Sequence, residues 1–201
     1  MKILLAGLRG VGKSTVGQLV AEDTNFPIHS LSELVRKEFP DFIGSSSALR
    51  AMIETFSIQK RTATYQRVIH TLNTHENFIL EMPIVERGDF GLMIPPEPIL
   101  RLVLFDVFIL LEAEPTAILK QRQARPSKGQ NPFYLKESTE SIGIHQEVAR
   151  QMIIGLGVVL AKPVFIIHNA GSPVTVARAI RAAIATTRDD AAFYFNLSTK
   201  S

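Results

Sequence analysis

The chain of 201 residues contains no cysteine, which excludes a disulfide framework, thiolate catalysis and any cysteine-based zinc site. Surplus charge is also scarce: 22 Lys and Arg stand against 19 Asp and Glu, a net +3. A surplus that small does not mark a nucleic-acid-binding surface unless the positive residues cluster. Long hydrophobic runs are missing too. The stretch Ile3 to Ala6 runs straight into Gly7, too short for the core of a signal peptide. The run Leu102 to Leu111 is interrupted by Asp106, and Met152 to Ala161 ends at Lys162. Neither is long enough to span a bilayer, so the expectation is a cytoplasmic protein with no membrane contact. With 46% hydrophobic and 20% charged residues, the composition is that of a globular chain and not of a disordered or collagen-like one. The length suits a single domain over residues 1–201, with room for an inserted lid.

Apolar runs of strand length alternate with segments of helical period, the pattern of an α/β protein on a parallel sheet. The expected strands are Lys2 to Gly7, Phe26 to His29, Phe78 to Met82, Val107 to Leu111 and Val164 to His168. Between them, Val16, Leu19 and Val20 share one helix face, and Tyr65, Val68, Ile69 and Leu72 share another. Ser30 and Glu33 have capping-box spacing, and Pro40 closes that helix. Pro115 sits at the first position of a helix running through Arg125. A long helix from Ser138 to Ala161 carries Ile142, His145, Val148, Ala149, Met152, Ile153 and Leu156 on one side. Ser172-Pro173 starts the last helix, with Val176, Ala177, Ile180 and Ile184 facing inward and a frayed polar tail expected after Thr187.

The sharpest signal is Gly7-Leu8-Arg9-Gly10-Val11-Gly12-Lys13-Ser14, a full match to G-x-x-x-x-G-K-[ST] placed between a strand and an amphipathic helix. Chance produces such a match in about 1 in 100 chains of this length, and the strand and helix around it lower the odds further. Glycines let the backbone curl around a phosphate, and amides at a helix start point at the anion. Gly7, Arg9, Gly10, Val11, Gly12, Lys13, Ser14 and Thr15 are therefore the expected nucleotide-binding residues. Lys13 brings a mobile positive charge to the β- and γ-phosphates, and the Ser14 hydroxyl is placed for Mg²⁺, with Thr15 the poorer candidate. ATP and Mg²⁺ are the implied cofactors. The architecture that fits is a three-layer α/β P-loop kinase fold: a five-stranded parallel sheet, helices on both faces, and a small lid.

Other residues bear on what the phosphate loop serves. From Pro115 to Lys136 the chain carries Lys120, Arg122, Arg125, Lys128 and Lys136 with no acidic residue. Arg122 and Arg125 lie on one helix face and read as catalytic arginines of a lid over about 122–137, neutralising charge on a transferred phosphoryl group. A solvated basic face is the alternative. Glu81 ends the third strand, at the edge of the sheet where α/β ligands bind, as a metal-side carboxylate through water or as a base toward a hydroxyl acceptor. Glu112 ends the fourth strand and reads as a helix-start charge. Arg36, Lys37, Arg50, Lys60, Arg61 and Arg67 fall within an expected acceptor-binding helical region at about 30–75. His145, on an apolar face, reads as a core or interface residue. Met152 to Ala161 is apolar on nearly every side, so it is covered either by its own domain or by a neighbouring subunit, and Gly155 and Gly157 point to close backbone approach there.

The sequence resembles the archaeal-type adenylate kinases, which are P-loop nucleoside monophosphate kinases, over nearly its full length. The resemblance rests on Phe108 to Pro115 followed by Ala117 to Arg125, on Gly88-Asp-Phe-Gly-Leu92, and on the long helix leading to Val164 to Asn169. It implies phosphate binding by Gly7 to Ser14, lid roles for Arg122 and Arg125, small nucleotides as partners, and a homotrimer. The chain departs from that family's pattern in three places. The third strand ends Glu81-Met82-Pro83 where the family has Asp-Thr-His; Lys128 and Gln130 stand where it has further lid arginines; and Glu54 falls near a family arginine, with Arg50 one turn away. These changes leave the phosphate loop whole and bear on the acceptor. Three readings follow: a kinase converting ATP and AMP to two ADP, a P-loop kinase for a hydroxyl acceptor, and a nucleotide-binding switch whose lid contacts a partner such as RNA.

Overall fold

Strand β1 (Lys2–Gly7) has Ile3, Leu4, Leu5 and Ala6 all but inaccessible to solvent. A strand buried on both faces belongs at the centre of a covered parallel sheet. That is where β1 lies in the computed structural model, which describes residues 1–44, 48–49, 52–53, 55–88, 91–93, 103–124 and 137–198. The other strands are β2 (Ile28–Ser30), β3 (Phe78–Met82), β4 (Glu86–Gly88), β5 (Gly91–Met93), β6 (Val107–Glu112) and β7 (Val164–His168). Five of them form one parallel sheet in the order β2-β3-β1-β6-β7, with Leu5 beside Glu81 on one side and Ile109 on the other.

Among the described residues the helices are α1 (Lys13–Thr24), α2 (Leu31–Lys37), α3 (Ile58–Asn73), α4 (Pro115–Ala124), α5 (Thr139–Leu160) and α6 (Pro173–Ser198). Helices α1 and α6 pack on each other and on the sheet, and α5 packs with α4 against β6 and β7. The result is a three-layer α/β fold with the five-stranded sheet in the middle, a P-loop kinase architecture. The expected inward faces hold: Val16 and Val20 of α1, Val68, Ile69 and Leu72 of α3, and Val176, Ala177, Ile180 and Ile184 of α6 are all buried. Each of these Val, Leu and Ile side chains contributes roughly 1.5–3 kcal/mol when fully removed from water.

Several local features differ from the sequence expectation. Strand β2 begins at Ile28, two residues later than expected, because Pro27 contributes only its carbonyl, to the Ile79 amide at 2.9 Å. The Ser30–Glu33 capping box does not form. Ser30 is the last residue of β2, and its hydroxyl meets that of Ser32 at 2.9 Å. The reciprocal box forms instead at α5, where Ser138 and Ser141 exchange backbone and hydroxyl bonds of 3.0 and 3.1 Å. Helix α6 continues to Ser198, beyond Thr187. The hairpin β4–β5 was not anticipated; its strands are three residues each, too short for a periodic pattern.

Candidate active site

The phosphate loop joins the carboxyl end of β1 to the start of α1. Gly10 and Gly12 hold φ of +87° and +96°, values that L side chains rarely adopt. A Cβ on Gly12 would lie 2.7 Å from the Asn169 side-chain nitrogen, and one on Gly10 would lie 3.2 Å from Cγ of Arg122. Backbone conformation thus favours glycine at both positions, and a Cβ at either would also crowd a neighbouring side chain. Gly12 is the N-cap of α1 with no side-chain cap, and the first turn holds no acidic residue. The amides of that turn, which a helix always leaves without internal partners, are left for an anion. The Lys13 ammonium donates to the carbonyls of Gly7 and Leu8 at 2.9 and 3.0 Å, folded over the loop it serves.

Ser14 and Glu81 are 67 residues apart in sequence, and parallel pairing of β1 with β3 brings them together. The Ser14 hydroxyl donates to Oε1 of Glu81 at 3.1 Å. Oε2 of the same carboxylate is buried and accepts no hydrogen bond, facing the Gly17 turn of α1. A carboxylate that is short of donors and adjoins a hydroxyl is a hard oxygen set suited to Mg²⁺, which is held by one or two protein oxygens with substrate phosphates completing its shell. The residues present therefore fit that ion. Gly17 is small for a packing reason: a Cβ there would meet Cδ1 of Ile28 at 2.6 Å. Thr15 and Arg9 are exposed at the loop, and Val11 is buried beneath it.

Arg122, at the end of α4, is buried. Its Nε donates to the Arg9 carbonyl at 2.8 Å and its Nη1 pairs with Glu137, whose side chain is also buried. Arg125, Lys128, Gln130 and Lys136, and with them most of the expected lid, lie outside the described residues, as do Arg50 and Glu54.

Glu112 departs from its expected role as a helix-start charge. It is buried and makes a two-point contact with Arg150 of α5, Nε to Oε1 at 2.9 Å and Nη2 to Oε2 at 2.6 Å. The Glu112 hydrogen bond, reinforced by its charge, raises the Arg150 pKa above the ordinary value. Helix-start proximity to Glu114 and Pro115 suggested otherwise, but the partner comes from 38 residues downstream. His145 is a buried core residue, with Nε2 3.1 Å from the Val85 carbonyl. Of the basic residues in the acceptor region, Arg67 pairs with Glu38, Arg36 donates to the Gly44 carbonyl at 2.9 Å, and the Lys60 ammonium sits 3.9 Å over the Phe56 ring. A groove of about 530 Å³ over α2 and α3 is lined by Glu38, Arg67 and His70 and lies apart from the phosphate loop. Sequence reading gave no role to Glu137, Asn169 or Arg150, because their partners are distant in the chain; only the apolar spacing of α5, which turns Arg150 toward β6, carried a signal.

The family model described as AAA domain matches residues 6–139. A protein of Thermoplasma acidophilum named adenylate kinase is 28% identical over 176 residues, which is 84% of this chain and 90% of that protein. Among solved structures, shikimate kinase of Aquifex aeolicus superposes with a TM-score of 0.59 at 20% identity, covering 92% of this chain and 96% of its own. The YorR protein of Bacillus subtilis, in complex with phosphorylated GDP, gives 0.60 at 17% identity, covering 94% and 98%.

Proposed function

The chain belongs to the AAA domain family, and from that premise we propose that it is a phosphotransferase moving the γ-phosphoryl group of ATP to a small nucleotide or metabolite. The observation that carries this reading is the convergence of Lys13, the uncapped start of α1 and the Ser14–Glu81 pair at the carboxyl end of one sheet. These groups supply, in order, a mobile cation, a ring of amides and a hard oxygen set. The amides bind the triphosphate and exclude water from its α and β groups, and Lys13 leaves its two carbonyls to follow the charge that builds on the transferring group. Ser14 and Glu81 are the residues that would hold Mg²⁺, which when bound would supply neutralisation of phosphate charge. Arg125 of the lid is assigned to the equatorial oxygens of the transferring group.

Glu81 serves the metal side and not as a base. One of its oxygens accepts from Ser14 and the other faces α1, so neither is turned to an acceptor. That supports an acceptor whose oxygen is already ionised, as in a nucleoside monophosphate, where no base is needed. The Thermoplasma relative named adenylate kinase supports the same choice. A hydroxyl acceptor is the second reading, supported by the solved neighbours named shikimate kinase and by the Met82-Pro83 pair that follows Glu81. Incubating the purified protein with Mg²⁺ and γ-labelled ATP against AMP, CMP, UMP, GMP, shikimate and gluconate decides between them. Label in a nucleoside diphosphate supports the first reading, label in gluconate or shikimate the second, and label only in inorganic phosphate rejects both.

The protein is further proposed to be a cytoplasmic homo-oligomer. Among the described residues no helix is long and apolar enough to cross a membrane. The outward side of α5 presents Ile144, Val148, Val158 and Val159, the last two 77% and 81% exposed. Gly157 packs against Val164, as anticipated, but nothing lies within 4 Å of where a Cβ of Gly155 would sit. An apolar stripe with an open glycine suits a second copy of the helix, and sedimentation equilibrium giving about three times 22.3 kDa would support the trimer.

A further inference from the structure

A phosphate loop works only when its amides point inward, and inward amides force the intervening carbonyls to point outward. Those carbonyls then need donors of their own. In this chain Lys13 serves Gly7 and shares the Leu8 carbonyl with the Val11 amide, the Arg122 Nε serves Arg9 at 2.8 Å, and the Asn169 Nδ2 serves Val11 at 2.8 Å. Three different elements thus brace one loop: α1, α4 and the turn after β7. The lysine brace is temporary, because Lys13 must leave for the phosphates when nucleotide binds. The other two can remain. Arg122 is held by the buried carboxylate of Glu137, which pairs with its Nη1 while Nε reaches the loop. Asn169 is fixed by its own backbone, whose amide donates to the Glu112 carbonyl at 2.6 Å, and its amide group fills the space left by the missing Cβ of Gly12.

We propose that Arg122 and Asn169 are positioning residues that hold the Arg9 and Val11 carbonyls outward so that the loop amides converge on the triphosphate, with Glu137 holding Arg122 in that task. Arg122 then acts on nucleotide binding through the loop and not on the transferring group directly. The inference rests on the phosphotransferase reading and assigns two further residues to the same site.

Titration calorimetry of Mg·ATP into wild type, Arg122→Ala, Glu137→Gln, the double variant and Asn169→Leu tests it, with turnover measured at saturating ATP on the best acceptor of the panel. Each single variant is expected to weaken ATP binding about tenfold while turnover at saturation stays within about threefold. The double variant should bind no worse than Arg122→Ala alone, because both changes remove one brace. Asn169→Leu removes the donor with little change of volume and keeps the test alive if the buried pair proves essential to folding. Unaltered ATP affinity in Asn169→Leu, or normal affinity with turnover reduced about 10³-fold in Arg122→Ala, overturns the inference alone. A wild-type protein that does not bind Mg·ATP overturns this inference and the phosphotransferase reading together.

Discussion

The phosphate-loop half of the site and the acceptor half are built by different means. At the loop, backbone conformation decides the residue: Gly10 and Gly12 sit at positive φ with neighbours where a Cβ would go, and the donors around them come from three elements. In the acceptor region three of the cations have local partners, Arg67 on Glu38, Arg36 on the Gly44 carbonyl and Lys60 on Phe56. A site fixed by its backbone leaves a readable motif, whereas one made of side chains on helices leaves composition. The contrast teaches that the donor nucleotide class follows from the loop and that the acceptor must be found by assay.

The comparison is broken most sharply at Lys13. Replacing it with Ala should lower phosphoryl transfer by about 10³-fold or more, with the thermal midpoint moving little, since its bonds are to loop carbonyls and not to the core. Arg67→Ala, the acceptor-side counterpart, should change turnover by less than about threefold, because a half-exposed surface pair contributes ~1 kcal/mol or less. Turnover and melting curves on both variants check this. Comparable losses at the two positions would erase the distinction.

The next effect in size belongs to the strand end beside the loop. Arg150→Ala leaves the Glu112 carboxylate buried without its partner, at a cost of about 3 kcal/mol, the low end for such a loss because Arg150 is partly exposed. Urea titration should show the midpoint falling, and Glu112→Gln in the same chain should recover part of it. At the metal side, Glu81→Gln should raise the Mg²⁺ concentration needed for half-maximal rate and leave the pH profile unchanged. Loss of a carboxylate limb from that profile at normal Mg²⁺ demand would make Glu81 a base.

What could be read from the sequence divides along the same line. Strands β1, β3 and β6 were legible because a strand covered on both faces is a plain apolar run. Helix α5 was legible from its apolar period, while its Ser138–Ser141 capping box was seen only in the structure. The Glu112–Arg150 and Arg122–Glu137 pairs were not, since only the fold brings those partners together, and Glu112 was misread from its immediate neighbours. The outward apolar side of α5 was visible as composition, but only packing separates Gly157, tight on Val164, from Gly155, which is open. Val148, expected inward, lies on the exposed side.

The smallest expected effect lies at the edge strand β2. The His29 pKa is lowered, first by burial and then by the nearby charges of His75 and Lys37, with Glu33 opposing. The folded state therefore binds fewer protons there than the unfolded chain, so this contribution to stability is present above the ordinary histidine pKa and is lost as the pH falls from there through the lowered folded value. His29→Gln should lessen the drop in melting temperature between neutral and mildly acidic buffer. An unchanged drop would assign it to other groups.

The central claim, transfer of phosphate from ATP to a small acceptor, is tested most directly by following ATP with ³¹P NMR in the presence of Mg²⁺, with and without each acceptor of the panel. The account predicts that the γ-phosphate signal declines only when one acceptor is present and that a new phosphorylated product appears in equal amount. Decline at the same rate without any acceptor, with inorganic phosphate as the product, would contradict it and make the chain a nucleotide hydrolase.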